Sequence, residues 1–231
     1  MAKKRAASAY LTDFEMMAGG VLLCVYLLFL PFLSDKLFDQ AAYLLGTAVP
    51  ALLREQIVYW VLLLLAAGIF CRLLVTATQY LWAALSQTIA AAGLSLVLFY
   101  GLNELLFRFF EVVLGAKVNL SDTIITAQTA KAPQESLLVM VVLMPIVEEL
   151  LFRGYVFGLL RGRDRVMAYG ASCLLYTALY IGRLLLEGGG LPGVALVLQY
   201  LTVSAVLAWS YDKTGTIWTP VLVHITVNAL A

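Results

Sequence analysis

Apolar residues in this chain come in long, nearly unbroken runs, without the regular polar interruptions of a half-exposed helix or strand. The runs fall near 16–33, 57–78, 81–110, 136–160, 166–185, 191–210 and 216–231. A helix needs roughly 20 residues to cross the bilayer core. The pattern therefore predicts an all-α, polytopic transmembrane helical bundle of about seven spans. The 81–110 run is longer than a span needs and is expected to tilt or emerge; the last run is at the short limit. Residues 40–53 are only moderately apolar and contain Pro50, which predicts an interfacial or re-entrant stretch. The polar segment 117–135 is the longest connection. It separates N-terminal transmembrane helices without a recognisable motif, 1–115, from a helical core, 136–231, in which the candidate chemistry lies.

Composition sharpens this picture. Hydrophobic residues make up 63% of the 231 residues and charged ones 13%, against about half and a quarter in a soluble domain. That surplus has to face lipid. A net charge of +1 says nothing about nucleic acid, and no basic stripe or zinc-finger spacing supports such a partner, so none is expected. Cys24, Cys71 and Cys173 all sit in apolar runs without metal-ligand spacing and read as packing residues. Lys3, Lys4 and Arg5 precede a first run that is long for a signal peptide, and Leu33-Ser34-Asp35 is a poor cleavage site, so an uncleaved first span is expected. The same basic residues predict a cytoplasmic N-terminus in a multi-pass cell-membrane protein. With seven spans, Arg161, Arg163, Arg165 and Lys213 fall on that side, and Lys117 and Lys131 outside.

Ionisable groups within spans cost roughly 2.5–3.5 kcal/mol each on insertion scales and demand partners or a role. They concentrate in Glu148-Glu149-Leu-Leu-Phe-Arg153. Glu149 and Arg153 are four residues apart and can pair on one helix face. Glu148 is rotated by about 100° from Glu149 and is left to face a cavity. One carboxylate suffices for a structural salt bridge; the second points to function. The only histidine, His224, lies in the last run with Asn228 one turn further on. Glu148 and His224 are expected at similar depth, where a carboxylate and an imidazole can activate water and an amide can support an oxyanion.

These residues resemble the CPBP family of intramembrane proteases, also called the Abi or CAAX-processing family. Its pattern is E-E-x-x-x-R on one helix, F-x-x-x-H on a second and H-x-x-x-N/B on a third. The first is complete in Glu148-Glu149-Leu-Leu-Phe-Arg153 and the third in His224-Ile-Thr-Val-Asn228. The approach Gly215-Thr-Ile-Trp218-Thr-Pro220 also looks like the family's final segment. The resemblance covers roughly 136–231. It implies that Glu148 and His224 activate water, that Asn228 supports the oxyanion, and that Glu149, Arg153 and Tyr176 are supporting residues. The second motif departs: Tyr176 stands for the phenylalanine and Tyr180 for the histidine. Tyr180 retains a hydroxyl donor for the oxyanion role but no imidazole. With that histidine missing, a metal-free, glutamate-dependent hydrolysis fits better than zinc, and no cofactor is expected. The implied partners are membrane lipid and a peptide or lipidated protein substrate, and other membrane proteins if the chain is an adaptor. Three functions stay open: an intramembrane endopeptidase, a catalytically impaired adaptor or immunity protein, and a small transporter.

Overall fold

A computed structural model describes residues 11–29, 33–47, 49–115, 137–186 and 190–230. The segments 1–10 and 116–136, with Lys3, Lys4, Arg5, Lys117 and Lys131, lie outside the described residues. Among the described residues every regular element is helical. They are α1 (Asp13–Cys24, continued by π turns over Val25–Phe29), α2 (Ser34–Leu45), α3 (Ala51–Ile69), α4 (Cys71–Ala83) and α5 (Leu85–Leu114). The long helix α6 covers 138–161, followed by α7 (Arg165–Leu186), α8 (Gly190–Thr214) and α9 (Trp218–Leu230). The fold is an all-α, membrane-type bundle.

Local chemistry explains several boundaries. Thr12 opens α1 with a reciprocal cap: its side chain accepts from the Glu15 amide at 3.2 Å, and the Glu15 carboxylate accepts from the Thr12 amide at 2.6 Å. Two otherwise orphaned amides are thereby satisfied. Gly215 ends α8 with a left-handed φ of 71°, which glycine adopts without a Cβ clash. This turn reverses the chain so that α9 returns into the bundle with His224.

One of the expected spans is redrawn. The 57–78 run is not one helix: it breaks at Phe70, where α3 and α4 meet at 80°. The polar groups of α4 cause the deflection by finding partners at one end of the bundle. Arg72 reaches Glu15 of α1 at 3.0 Å, the Ala77 carbonyl accepts from Thr216, and Thr78 accepts from the Trp218 indole. By length and apolarity alone, Leu85–Val113 and Gly193–Thr214 qualify as spans, and a third if the bent pair is one unit. The seven expected spans do not emerge by that measure: α6 carries Glu148, Glu149 and Arg153, and the described part of α9 has 13 residues.

The core forms around α6, which packs against α1, α3, α7, α8 and α9, while α5 lies outside against α8 and α9. Gly19 lets α1 approach: a Cβ there would sit 2.7 Å from the Tyr155 ring and 2.8 Å from Phe70. The Tyr155 hydroxyl donates to the Met16 carbonyl at 2.9 Å across the same contact. Both faces of α6 are thus covered by protein, and its polar residues are withdrawn from lipid and water.

Candidate functional site

Three helices bring the polar side chains together: α6 with Glu148, Glu149 and Arg153, α7 with Tyr176 and Tyr180, and α9 with His224. Glu148 is 1% exposed, Glu149 and Arg153 0%, and His224 5%. Charges this deep persist only when paired and hydrogen-bonded. The Arg153 guanidinium meets Glu149 Oε1 at 3.1 Å, as the four-residue spacing suggests. It also donates to the Ser204 carbonyl at 3.1 Å and to Ser204 Oγ at 2.8 Å on α8. Its carbon lies 4.6 Å from the centroid of the Tyr176 ring, a cation–π arrangement.

Glu149 does more than pair with arginine. The same Oε1 lies 2.9 Å from His224 Nδ1. A carboxylate only accepts, so Nδ1 carries a hydrogen, and in the neutral ring Nε2 is left with its lone pair. Nε2 then faces the Tyr176 hydroxyl at 3.5 Å and Glu148 Oε2 at 4.0 Å. His224 is near Glu148, but Glu149 holds and orients it.

Glu148 is not the open carboxylate that the spacing suggested. Its Oε1 accepts from Tyr26 at 2.7 Å, and the single Tyr180 hydroxyl hydrogen is shared between Oε1 at 2.7 Å and Oε2 at 2.8 Å. The reason is physical: a carboxylate withdrawn from water needs donors, and phenols on α1 and α7 supply them. Tyr180, expected to serve an oxyanion, donates instead to Glu148. Its ring is fixed by stacking on Tyr200, with centroids 5.0 Å apart and planes at 17°.

Asn228 is placed differently from the other expected residues. Its Nδ2 donates to the Met140 carbonyl at 2.9 Å. The backbone explains why that carbonyl is available. Residues Leu138–Leu143 are in π turns, and the Met144 amide bonds the carbonyl five residues back, Val139. The next partner in that register would be residue 145 to Met140, but residue 145 is proline and has no amide hydrogen. Asn228 fills the place of that missing donor and ties α9 to α6. A second π segment, Leu150–Phe157, follows the two glutamates directly. Such turns inside helices are frequent at functional sites.

Tyr26, Tyr59, Tyr200 and Ser204 were not singled out from the sequence. Tyr59 of α3 is hydrogen-bonded to Tyr26. The signal in hindsight is the presence of phenols inside apolar runs, where each hydroxyl needs a partner. Among the described residues, no group of three or more His, Cys, Asp or Glu side chains has an arrangement suited to a metal ion.

Two lone-pair atoms, Glu148 Oε2 and His224 Nε2, stand 4.0 Å apart, too far for a direct bond. A water making bonds of about 2.8 Å to each would bridge them at an angle of about 90°. Compared with known proteins, residues 134–230 match the family model described as Rce1-like, type II CAAX prenyl endopeptidase. Neither the curated proteins nor the solved structures give a match to the chain.

Proposed function

We propose that the protein is an intramembrane endopeptidase that cleaves a peptide bond of a membrane-bound or lipidated substrate, a reading supported by the match of residues 134–230 to the type II CAAX prenyl endopeptidase family model. The observation that carries this reading is the 4.0 Å gap between Glu148 Oε2 and His224 Nε2. Glu148 Oε2 takes one proton from a water in that gap, and His224 Nε2 accepts the other O–H as a hydrogen bond. The resulting hydroxide attacks the scissile carbonyl carbon. The C–N bond then breaks, and the proton on Glu148 passes to the leaving nitrogen, which returns the carboxylate. Glu149 keeps the imidazole in the required tautomer, the role a buried carboxylate plays beside a histidine base. Tyr180 is the donor for the oxyanion, turning its hydroxyl from Glu148 to the developing charge. Asn228 supports the site by fixing α9 on α6.

In this reading the N-terminus and the 161–165 loop are cytoplasmic, and the site is reached from that side. One bond supports a common end for these segments: Tyr155, near the end of α6, donates to the Met16 carbonyl near the start of α1 at 2.9 Å.

Membranes containing the wild type or Glu148→Gln, supplied with a prenylated peptide reporter, test the reading. Cleavage by the wild type alone is expected; equal cleavage by both refutes it. A second reading has its own observation in favour. Tyr180 contacts both oxygens of Glu148, as suits a catalytically impaired member acting as a membrane adaptor. That reading predicts no cleavage and an unchanged cellular phenotype for Glu148→Gln.

A further inference from the structure

The matched domain starts at residue 134, yet one bond on Glu148 comes from far outside it, from Tyr26 on α1. An ionised carboxylate offers about four acceptor sites, two on each oxygen. Two phenol hydrogens reach it: that of Tyr26 goes to Oε1 alone, and the single hydrogen of Tyr180 is shared between Oε1 and Oε2. Oε2 therefore keeps more acceptor capacity than Oε1, and it is the oxygen nearest His224 Nε2.

We propose that Tyr26 is a positioning residue for Glu148: by occupying Oε1 it fixes the rotation of the carboxylate and leaves Oε2, facing His224, as the atom that takes the proton. This rests on the reading of Glu148 as the base. Nothing in the chain's motifs assigns it, because α1 carries none.

Tyr26 is built for a fixed position. It is 1% exposed, and its ring stands edge-on to Phe152, with centroids 6.3 Å apart. Its hydroxyl is hydrogen-bonded to Tyr59 as well as to Glu148. It sits in the π turns Val25–Phe29, whose wider winding changes the direction of side chains relative to the α-helix before them. The close contact of Gly19 with Tyr155 seats α1 on α6 one to two turns earlier. A phenol that needed only a partner has one in Tyr59; the 2.7 Å bond to a carboxylate flanked by an imidazole is a second and stronger one.

The test uses Tyr26→Phe, which keeps the ring and its packing and removes one hydroxyl. Two readouts are taken on the full chain in membranes. The first is the infrared carboxyl signature of Glu148, assigned by subtracting the spectrum of Glu148→Gln; it needs no substrate. The second is kcat and KM on a cleaved reporter. The expected result is a shifted Glu148 band in Tyr26→Phe and a fall in kcat of about tenfold to a hundredfold, the worth of a hydrogen bond to a charged group, at unchanged KM. Tyr59→Phe should give the same changes in smaller measure. An unmoved band overturns the proposal, as does a shifted band with wild-type kcat. A wild type that cleaves nothing, but whose Glu148 band shifts in Tyr26→Phe, sinks the protease reading and leaves Tyr26 as the residue that orients Glu148.

Discussion

Replacing Arg153 by alanine removes three bonds and a ring contact at once. Its guanidinium spans Glu149 Oε1, the Ser204 carbonyl and Ser204 Oγ, at 3.1, 3.1 and 2.8 Å, and lies over Tyr176. Neither Arg153 nor Glu149 is exposed, so no solvent screens the charge that remains. Glu149 Oε2 already lacks a hydrogen-bond partner. After the substitution Glu149 would depend on His224 alone. Breaking a buried pair in this way costs on the order of 3–5 kcal/mol, which is a factor of about 10² to 10³ or more in the folding equilibrium. Arg153→Ala should therefore accumulate poorly in the membrane and melt earlier in detergent. Arg153→Lys should fall between, since an ammonium carries the charge but not the planar fork. The companion Glu149→Gln, Arg153→Ala should be milder than Arg153→Ala alone, because no uncompensated carboxylate is left. Wild-type abundance and melting of Arg153→Ala would refute the reasoning, as would a double variant no better than the single one.

Three further outcomes follow from the geometry. Tyr180→Phe should lower cleavage by about 10²–10³, the loss seen on removing one oxyanion donor, while Tyr180→His should preserve or raise it; rates on the reporter decide this. Gly19→Leu should destabilise the bundle by about 1–3 kcal/mol through overpacking, because a Cβ alone already meets Tyr155 and Phe70 below 3 Å; unchanged detergent melting would contradict the close contact. Cysteines placed at positions 3 and 163 in a background without Cys24, Cys71 and Cys173 should escape a membrane-impermeant reagent in intact cells, and labelling of either would reverse the proposed orientation.

The parts of this molecule that the sequence made legible were those governed by short spacing. The runs of apolar residues announced a helical membrane bundle, and the four-residue step from Glu149 to Arg153 announced their pairing. The remaining contacts are made between residues far apart in the chain. Tyr26 and Tyr180 approach Glu148 from α1 and α7, and no local pattern distinguishes a tyrosine that reaches a carboxylate from one that merely packs. The π segments hid another part: a regular 3.6-residue wheel assigns faces to 138–157 that the wider turns do not keep. The break at Phe70 was invisible because the apolar run continues across it, and only the partners of Arg72, Ala77 and Thr78 reveal it.

Pro145 and Asn228 make each other's identity intelligible. A proline withholds one amide hydrogen, and a side chain from another helix supplies it. An aspartate at 228, isosteric but lacking N–H when ionised, would set a negative oxygen against the Met140 carbonyl. Conversely, a residue other than proline at 145 would satisfy that carbonyl from within α6 and compete with the amide of Asn228. The two positions are thus epistatic: the effect of changing either depends on what stands at the other, through a single carbonyl oxygen that both contend to serve.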